Sequence, residues 1–205
     1  MRIFLLALMV AVAAPAFAAA PAAKKAAPAA APAKVVPVTN ASEAVTLFRR
    51  LCIDTKGDRS ITETALKPFV DGGVAKKLPK DASKQFTGHD SLATWILASP
   101  TTKQKLMADY DSKGVCALYV NQADAKEMRA LFKKMVTVTA AELKANVATK
   151  SEPKKIGDNT IQFDFFEIIR APDQPRIAVS LSTSPKPVGD TQHYMTYTII
   201  APKKK

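Results

Sequence analysis

From residue 40 the chain has a hydrophobic pattern of helical period. Apolar side chains recur every three or four positions, as on the buried side of a helix: Ala44, Leu47, Phe48, Leu51 and Cys52. The spacing predicts a helix over residues 41–53, and Asn40 with Glu43 resembles a capping pair at its start. This helix would carry Cys52 on its buried side.

A second helix is predicted over residues 61–71, where Gly72-Gly73 would end it although Pro68 lies inside it. Residues 74–91 are rich in polar side chains and contain both proline and glycine. This composition predicts mostly loop.

The centre of the chain predicts strands and one more helix. Trp95–Ala98 is a short apolar run, and residues 103–110 and 115–120 flank a turn at 111–114 in which Gly114 suits a hairpin. Asn121 with Asp124 then predicts a helix start. Its apolar stripe comprises Ala125, Met128, Leu131, Phe132 and Met135.

The C-terminal third alternates with a period of two, which predicts strands. The alternating apolar positions are Leu143, Ala145 and Val147, then Ile161, Phe163 and Phe165, then Ile177, Val179 and Leu181, and finally the run His193–Ile200. The phase changes at Phe166 and Ile168, which predicts a bulge near Phe165 and Phe166. Helices come early and strands late, so we expect an α+β fold: an antiparallel sheet with two or three helices packed on one face.

The two ends differ from this domain, which we place at residues 35–202. Residues 1–18 have one charge, an apolar run and Ala16-Phe17-Ala18, the pattern of a signal peptide cleaved after Ala18. Residues 19–34 contain Ala, Pro and Lys alone and predict a disordered leader. Residues 203–205 form a basic tail. We therefore expect a periplasmic or secreted protein with no membrane span after cleavage.

The net charge of +12 is concentrated at the ends. Arg2, Lys24, Lys25, Lys34 and residues 203–205 supply seven positive charges, which leaves 23 basic and 18 acidic residues in the domain. Such tails attract anionic surfaces non-specifically. Nucleic acid is not an expected partner because export removes the chain from it.

Cys52 and Cys116 are the only two cysteines, 64 positions apart. An oxidising compartment and an even count predict that they form a structural disulfide. The alternative is a redox or nucleophilic thiol, although the chain has no C-x-x-C motif.

The residues that could carry chemistry are few. With His89 and His193 alone, a three-histidine zinc site is excluded, and we predict no metal and no cofactor. The segment 54–61 departs from a calcium loop because Lys56 occupies a ligand position, so we interpret it as a polar turn. Seven glycines without a P-loop make a phosphate-binding loop improbable.

Three residues are weak catalytic candidates: His89 and Asp90 in a loop, and Asp164 in an apolar strand. Asp164 and Glu167 should point to opposite faces of a regular strand, whereas a bulge would bring them together. Trp95, Tyr110, Tyr119, Tyr194 and Tyr197 either line a ligand groove or pack in the core.

The order and spacing of several residues resemble the pattern of small exported bacterial proteins of unknown function, which have a helix cysteine, a Trp before Ser-Pro and a second cysteine after a Gly turn. These residues are Phe48, Cys52, Trp95, Ser99, Pro100, Gly114 and Cys116, within residues 40–135. The resemblance implies export and the cysteine pairing, and it supplies no activity or catalytic residues to transfer. Because the sequence contains no catalytic constellation and predicts an exported, disulfide-linked scaffold, we expect a non-enzymatic binding or envelope-associated module, whose partner is an envelope protein or a small ligand. The alternatives are a small hydrolase or isomerase with a site formed in the fold, and an inhibitor or chaperone-like protein-binding module.

Overall fold

The computed structural model describes residues 37–202. The predicted signal peptide, leader and basic tail lie outside the described residues. The helices are α1 (Asn40–Phe48), followed by a π-helical turn (Arg49–Ile53), α2 (Arg59–Asp71), α3 (Lys80–Thr87) and α4 (Ala125–Glu142). The strands are β1 (Ala75–Lys77), β2 (Ser91–Ala98), β3 (Lys105–Asp111), β4 (Cys116–Val120), β5 (Asn146–Ile156), β6 (Asn159–Ile169), β7 (Arg176–Val188) and β8 (Thr191–Ile200).

The eight strands form one antiparallel sheet in the order β1-β2-β3-β4-β8-β7-β6-β5. Two runs of adjacent strands, β1–β4 and β5–β8, meet where β4 pairs with β8. The connection from β4 to β5 is α4, which carries the chain to the far edge of the sheet. The predicted α+β class with an antiparallel sheet is confirmed.

Three helices pack on one side of the sheet, which we call the covered face. α1 packs on α4 and β4, and α4 packs on β5, β6 and β7. Phe132 of α4 lies between Phe48 and Phe166, with ring centroids 5.8 Å apart in both pairs. α2 reaches the same face, because Thr62 and Tyr110 share a hydrogen bond of 2.8 Å between their hydroxyls. Alternation therefore places one apolar side of each central strand under helices.

The disulfide between Cys52 and Cys116 is confirmed, with Cα atoms 5.6 Å apart. It joins the π-helical turn to β4, at the middle of the sheet. The turn that follows lies against β8: a Cβ added to Gly57 would approach the Tyr197 ring to 2.8 Å, and Gly57 has a φ of +67°. Glycine is favoured there on both counts, because it has no Cβ to meet the ring and tolerates a positive φ. The predicted polar turn ends at Asp58, whose side chain accepts from the amides of Ser60 and Ile61 and caps α2.

Several local predictions are confirmed. The helix over 41–53 exists, with its last turn π-helical, and the helix over 61–71 continues past Pro68 to end at Gly72. The hairpin of β3 and β4 turns at Gly114, whose φ is +79°. Asp124 caps α4 by accepting from the Glu127 amide.

Others are wrong. Residues 74–91 hold β1 and α3 instead of mostly loop. The cap of α1 is Thr39, paired with Ser42 instead of Glu43. β6 pairs in continuous register with both neighbours, so it has no bulge near Phe165 and Phe166. The phase changes because Phe163 and Phe165 lie on one face of the sheet while Phe166 and Ile168 lie under the helices, and both faces accept large apolar side chains.

Candidate functional site

The second side of the sheet, which we call the open face, carries a row of side chains across six strands, five of them large. In the strand register, each member of this row lies directly opposite the next one on the neighbouring strand: Ile96, Met107, Tyr119, Tyr194, Ser182 and Phe163. Tyr119, Tyr194 and Phe163 are half-buried, as on a sheet face without a packed layer. The open face is thus a partly accessible surface of aromatic and polar groups.

The five aromatic residues considered in the sequence divide between the two faces. Trp95, Tyr110 and Tyr197 are buried in the core. Tyr119 and Tyr194 are neighbours on the open face, with ring centroids 4.5 Å apart. The two sequence interpretations, core and groove, therefore each describe part of the set.

A cleft of about 330 Å³ lies on the open face beside α3 and the turn between β7 and β8. We call it the open-face cleft. Its apolar wall and floor are formed by Phe86, Ile96, Met107, Tyr119 and Val188. Its polar lining includes Lys105, Asn121 and Asp190. A mostly apolar lining with a few polar groups, and a volume near the lower end of the usual range, are typical of small-molecule sites.

Next to the cleft, a buried carboxylate holds a histidine. Asp109 is 1% exposed, and its Oδ2 lies 2.8 Å from His89 Nε2, while Thr94 donates to its Oδ1 at 2.6 Å. Asp109 is two residues along β3 from Met107 on the same face, which separates them by about 7 Å. His89 follows α3, so this contact also holds the end of α3 against the open face.

Burial raises the pKa of both open-face tyrosines. For Tyr119, the neighbouring Tyr194 and the carboxylates of Asp109 and Asp111 raise the pKa further. For Tyr194, burial is again the largest cause, and the same two carboxylates act in the same direction. Both phenols therefore stay protonated at neutral pH and offer hydrogen bonds and ring surface instead of negative charge.

The structure does not bring the three catalytic candidates together. Asp90 is exposed and pairs with Lys84 at 3.2 Å. Asp164 lies on the covered face, where Arg129 of α4 donates to it at 2.6 and 3.0 Å. Its strand β6 is four strands from β3, or about 19 Å at the usual strand spacing, and on the other face from His89.

The remaining titratable residues considered in the sequence have structural contacts. Glu167 lies on the open face and binds Arg176 at 2.8 Å, so it points away from Asp164, as expected for a regular strand. His193 is fully buried with Nε2 at 3.1 Å from the Ala123 carbonyl, and burial lowers its pKa. It is therefore a neutral residue of the sheet interior.

Sequence reasoning missed Asp109, the partner of His89. The two residues are twenty positions apart, and nothing local links a loop histidine to a strand carboxylate. A signal was present, since Asp109 interrupts the apolar run from Leu106 to Tyr110. A carboxylate in such a run faces away from the core or binds a partner.

Within residues 37–202, no three His, Cys, Asp or Glu side chains are grouped so as to hold a metal ion. In the same range no helix combines the length and apolar character needed to cross a membrane. Comparison of the chain with known protein families, with curated proteins and with solved structures gave no match. The resemblance to small exported proteins therefore stays a prediction.

Proposed function

We propose that this chain is a non-enzymatic binding module of the cell envelope and that its open-face cleft takes a small amphipathic ligand. The observation that carries the proposal is the cleft itself. Phe86, Val188 and Ile96 are 57%, 49% and 36% exposed, although they line one concavity. Exposed apolar side chains gathered in one concave place are a mark of a binding site.

The lining defines the chemistry of the ligand. A flat or branched apolar body would pack between Phe86 and Tyr119 over Met107. A polar end would reach Lys105, Asn121 or Asp190 at the rim, where both signs of charge are available. Because the Tyr119 phenol remains neutral, it supplies stacking surface and a hydroxyl hydrogen bond to an uncharged part of the ligand.

The predicted signal peptide and the disulfide support the envelope location. The pattern of residues 1–18 is that of a signal peptide. Both cysteines of the chain are joined in the disulfide, as is common in oxidising compartments. N-terminal sequencing of the protein recovered from the producing cells should begin at Ala19, and recovery of the chain starting at Met1 from the cytosol would contradict this location.

A fragment screen by two-dimensional ¹H–¹⁵N NMR tests the cleft. We expect amphipathic aromatic fragments to shift the amide signals of Met107, Tyr119 and Val188 together. Phe86→Ala should weaken these fragments at least several-fold, because it removes one wall of the cleft while leaving the core intact.

The matched control is Val138→Ala, which changes a similarly exposed apolar residue in a second concavity between α1 and α4. It should leave fragment binding unchanged. Fragments that shift amides around Val138 instead, or that bind Phe86→Ala as well as the parent protein, would place the ligand site elsewhere.

A second candidate function, acid–base catalysis, is favoured by the contact of His89 with Asp109. A buried carboxylate that fixes an imidazole is one part of several hydrolytic sites. Among residues 37–202, however, no hydroxyl or thiol side chain is hydrogen-bonded to the His89 ring. If His89→Gln abolished a turnover measured with a ligand from the screen, the module would be an enzyme; retained ligand affinity without turnover in the parent supports binding alone.

A further inference from the structure

The net charge of the described domain resides in one helix and the strand that follows it. Residues 125–156, which span α4 and β5, carry eight basic and three acidic side chains. Residues 37–124 together with 157–202 carry fifteen of each. The excess of +5 is thus confined to α4, β5 and their connection, and the remainder of the domain is neutral.

Most of these basic groups are exposed and have no acidic partner. Arg129 binds Asp164 and Lys150 binds Glu152. Within residues 37–202, the other six form no ion pair: Lys126, Lys133, Lys134, Lys144, Lys154 and Lys155. Their charges are therefore available to an external anion.

Two elements present part of this charge along one surface. α4 packs against β5, and a shallow groove of about 250 Å³ between them is lined by Arg129, Lys133, Thr149 and Ser151. Lys155 is four residues after Ser151 in β5, so it lies on the same side of the strand. Lys126 precedes Arg129 by one helical turn. We call Lys126, Arg129, Lys133 and Lys155, together with Lys154 at the same end of β5 but on its opposite side, the α4–β5 basic surface.

The end of the β5–β6 hairpin lies beyond the last pair between β6 and β7. β6 pairs with β7 from Gln162 onward, whereas its pairing with β5 continues to Ile156 and Asn159. The last residue of β5, Ile156, is 47% exposed and directly follows Lys154 and Lys155. The tip therefore presents an apolar side chain with Lys154 on the same side of the strand and Lys155 on the other side.

We propose that the α4–β5 basic surface docks on an anionic lipid bilayer through the end of the β5–β6 hairpin, with Ile156 at that end entering the headgroup region. Clustered lysines are attracted to anionic headgroups, and an apolar side chain among them gains by leaving water at the interface. Lysines and Pro153 also protect an edge strand from pairing with other chains. That role does not account for the lysines of α4 or for an exposed isoleucine at the tip.

Vesicle co-sedimentation of residues 19–205 tests the proposal. The protein should bind vesicles of phosphatidylethanolamine and phosphatidylglycerol, bind phosphatidylcholine vesicles weakly, and dissociate as salt is raised. The variant Lys126→Glu/Lys154→Glu/Lys155→Glu should bind the anionic vesicles about tenfold less tightly or weaker.

The matched control is Lys76→Glu/Lys80→Glu/Lys113→Glu, three exposed lysines without ion pairs outside the basic surface. It has the same net charge and the same terminal lysines. Its affinity should fall by no more than about threefold. Equal losses in the two variants would overturn the proposal, because binding would then follow total charge or the termini instead of this surface.

Ile156→Ser separates a bilayer from a soluble acidic partner, with the exposed Leu92→Ser as its control. Ile156→Ser should weaken vesicle binding at least threefold and leave binding to polyglutamate unchanged, because polyglutamate offers charge without an apolar interior. If Ile156→Ser had no effect on vesicles and polyglutamate bound as tightly as the vesicles, the surface would serve an acidic polypeptide and the bilayer proposal would be wrong. Circular dichroism of each variant should match the parent, because all the changed side chains are exposed.

Discussion

Glu43 is a charged side chain buried among protein atoms and held by a loop distant in sequence. It is 8% exposed, and its carboxylate accepts from the amides of Thr101 and Thr102 at 2.7 and 2.8 Å and from the Thr102 hydroxyl at 2.8 Å. Burial alone would raise its pKa, but these hydrogen bonds from Thr102 and Thr101 lower it below the ordinary value of 4.5. The contact ties α1 to the loop between β2 and β3.

Glu43→Gln should lower the free energy of unfolding at neutral pH by about 1–3 kcal/mol, because charge-assisted hydrogen bonds become neutral ones or are lost. A depressed pKa in the folded state gives a contribution that is present above the unfolded-state pKa and disappears as pH falls through the folded-state pKa. The stability of the parent should therefore fall below about pH 4.5 by more than that of the variant. Urea unfolding at several pH values measures both effects.

The exposed Glu142, which pairs with Arg49, provides the control. Glu142→Gln should change stability by less than about 1 kcal/mol, as is usual for surface ion pairs. Equal losses for the two variants, or a Glu43→Gln protein with the acid sensitivity of the parent, would contradict the role assigned to Glu43.

The same residue shows what sequence spacing can and cannot predict. Asn40 with Glu43 has the spacing of a capping pair, but Thr39 and Ser42 form the cap. Instead, the Glu43 carboxylate accepts hydrogen bonds from Thr101 and Thr102, which lie 58 and 59 positions further along the chain. His89 is bound by Asp109 in the same way. Local patterns therefore identified the helix start and a polar loop residue, and the partners of both were fixed by the tertiary fold.

Among the elements, α4 is fixed to the sheet by an ion pair as well as by its apolar stripe. Asp164 of β6 receives two hydrogen bonds from Arg129 and one from Ser151 of β5 at 2.5 Å. Burial alone would raise the pKa of Asp164, and the bonds from Arg129 and Ser151 lower it overall. The side chain of Arg129 is 44% exposed while that of Asp164 is 9% exposed.

Removing one partner of this pair should cost more than removing both. Arg129→Met should destabilise the protein by about 2 kcal/mol, because it leaves the Asp164 carboxylate unpaired. The loss should be smaller than for a fully buried pair, because the Arg129 side chain is partly in water. Arg129→Met/Asp164→Leu should recover most of that loss. Denaturant unfolding of the single and double variants gives the coupling energy. Additive losses in the double variant would show that the carboxylate stabilises the fold independently of Arg129.

Element prediction succeeded where one side of an element is apolar and failed where it is not. The stripe of α4 and the alternation of β7 were visible because each has one buried side. α3 has a single buried residue, Ser83, so its sequence carries no stripe and was predicted as loop. β6 has phenylalanines on both faces, so its alternation was misinterpreted as a bulge.

At the scale of the whole molecule, the fold class followed from the sequence, but the number of strands, because β1 was missed, and the strand order did not. Periodicity concerns neighbouring residues, whereas the pairing of β4 with β8 joins residues more than seventy positions apart. α4 makes this pairing possible by crossing the covered face before β5 begins. The cleft on the open face depends on that order, because its lining combines Tyr119 of β4 with Val188 and Asp190 at the turn into β8.

The disulfide links α1, through the π-helical turn, to the middle of the sheet, and we expect its loss to lower the stability of the whole domain. It closes a segment of 64 residues that contains α2, α3 and the first three strands. The chain-entropy model gives roughly 4 kcal/mol for such a loop, and measured values are often lower. Cys52→Ala/Cys116→Ala should therefore lower the melting temperature by about 5–15 °C, given the size of the domain. Differential scanning calorimetry with and without reductant checks the value.

Reductant should shift the melting temperature of the parent toward that of the variant and leave the variant unchanged, since the described residues of the variant contain no other cysteine. A parent whose melting temperature did not respond to complete reduction would show that packing of the π-helical turn on β4, and not the covalent link, keeps α1 on the sheet.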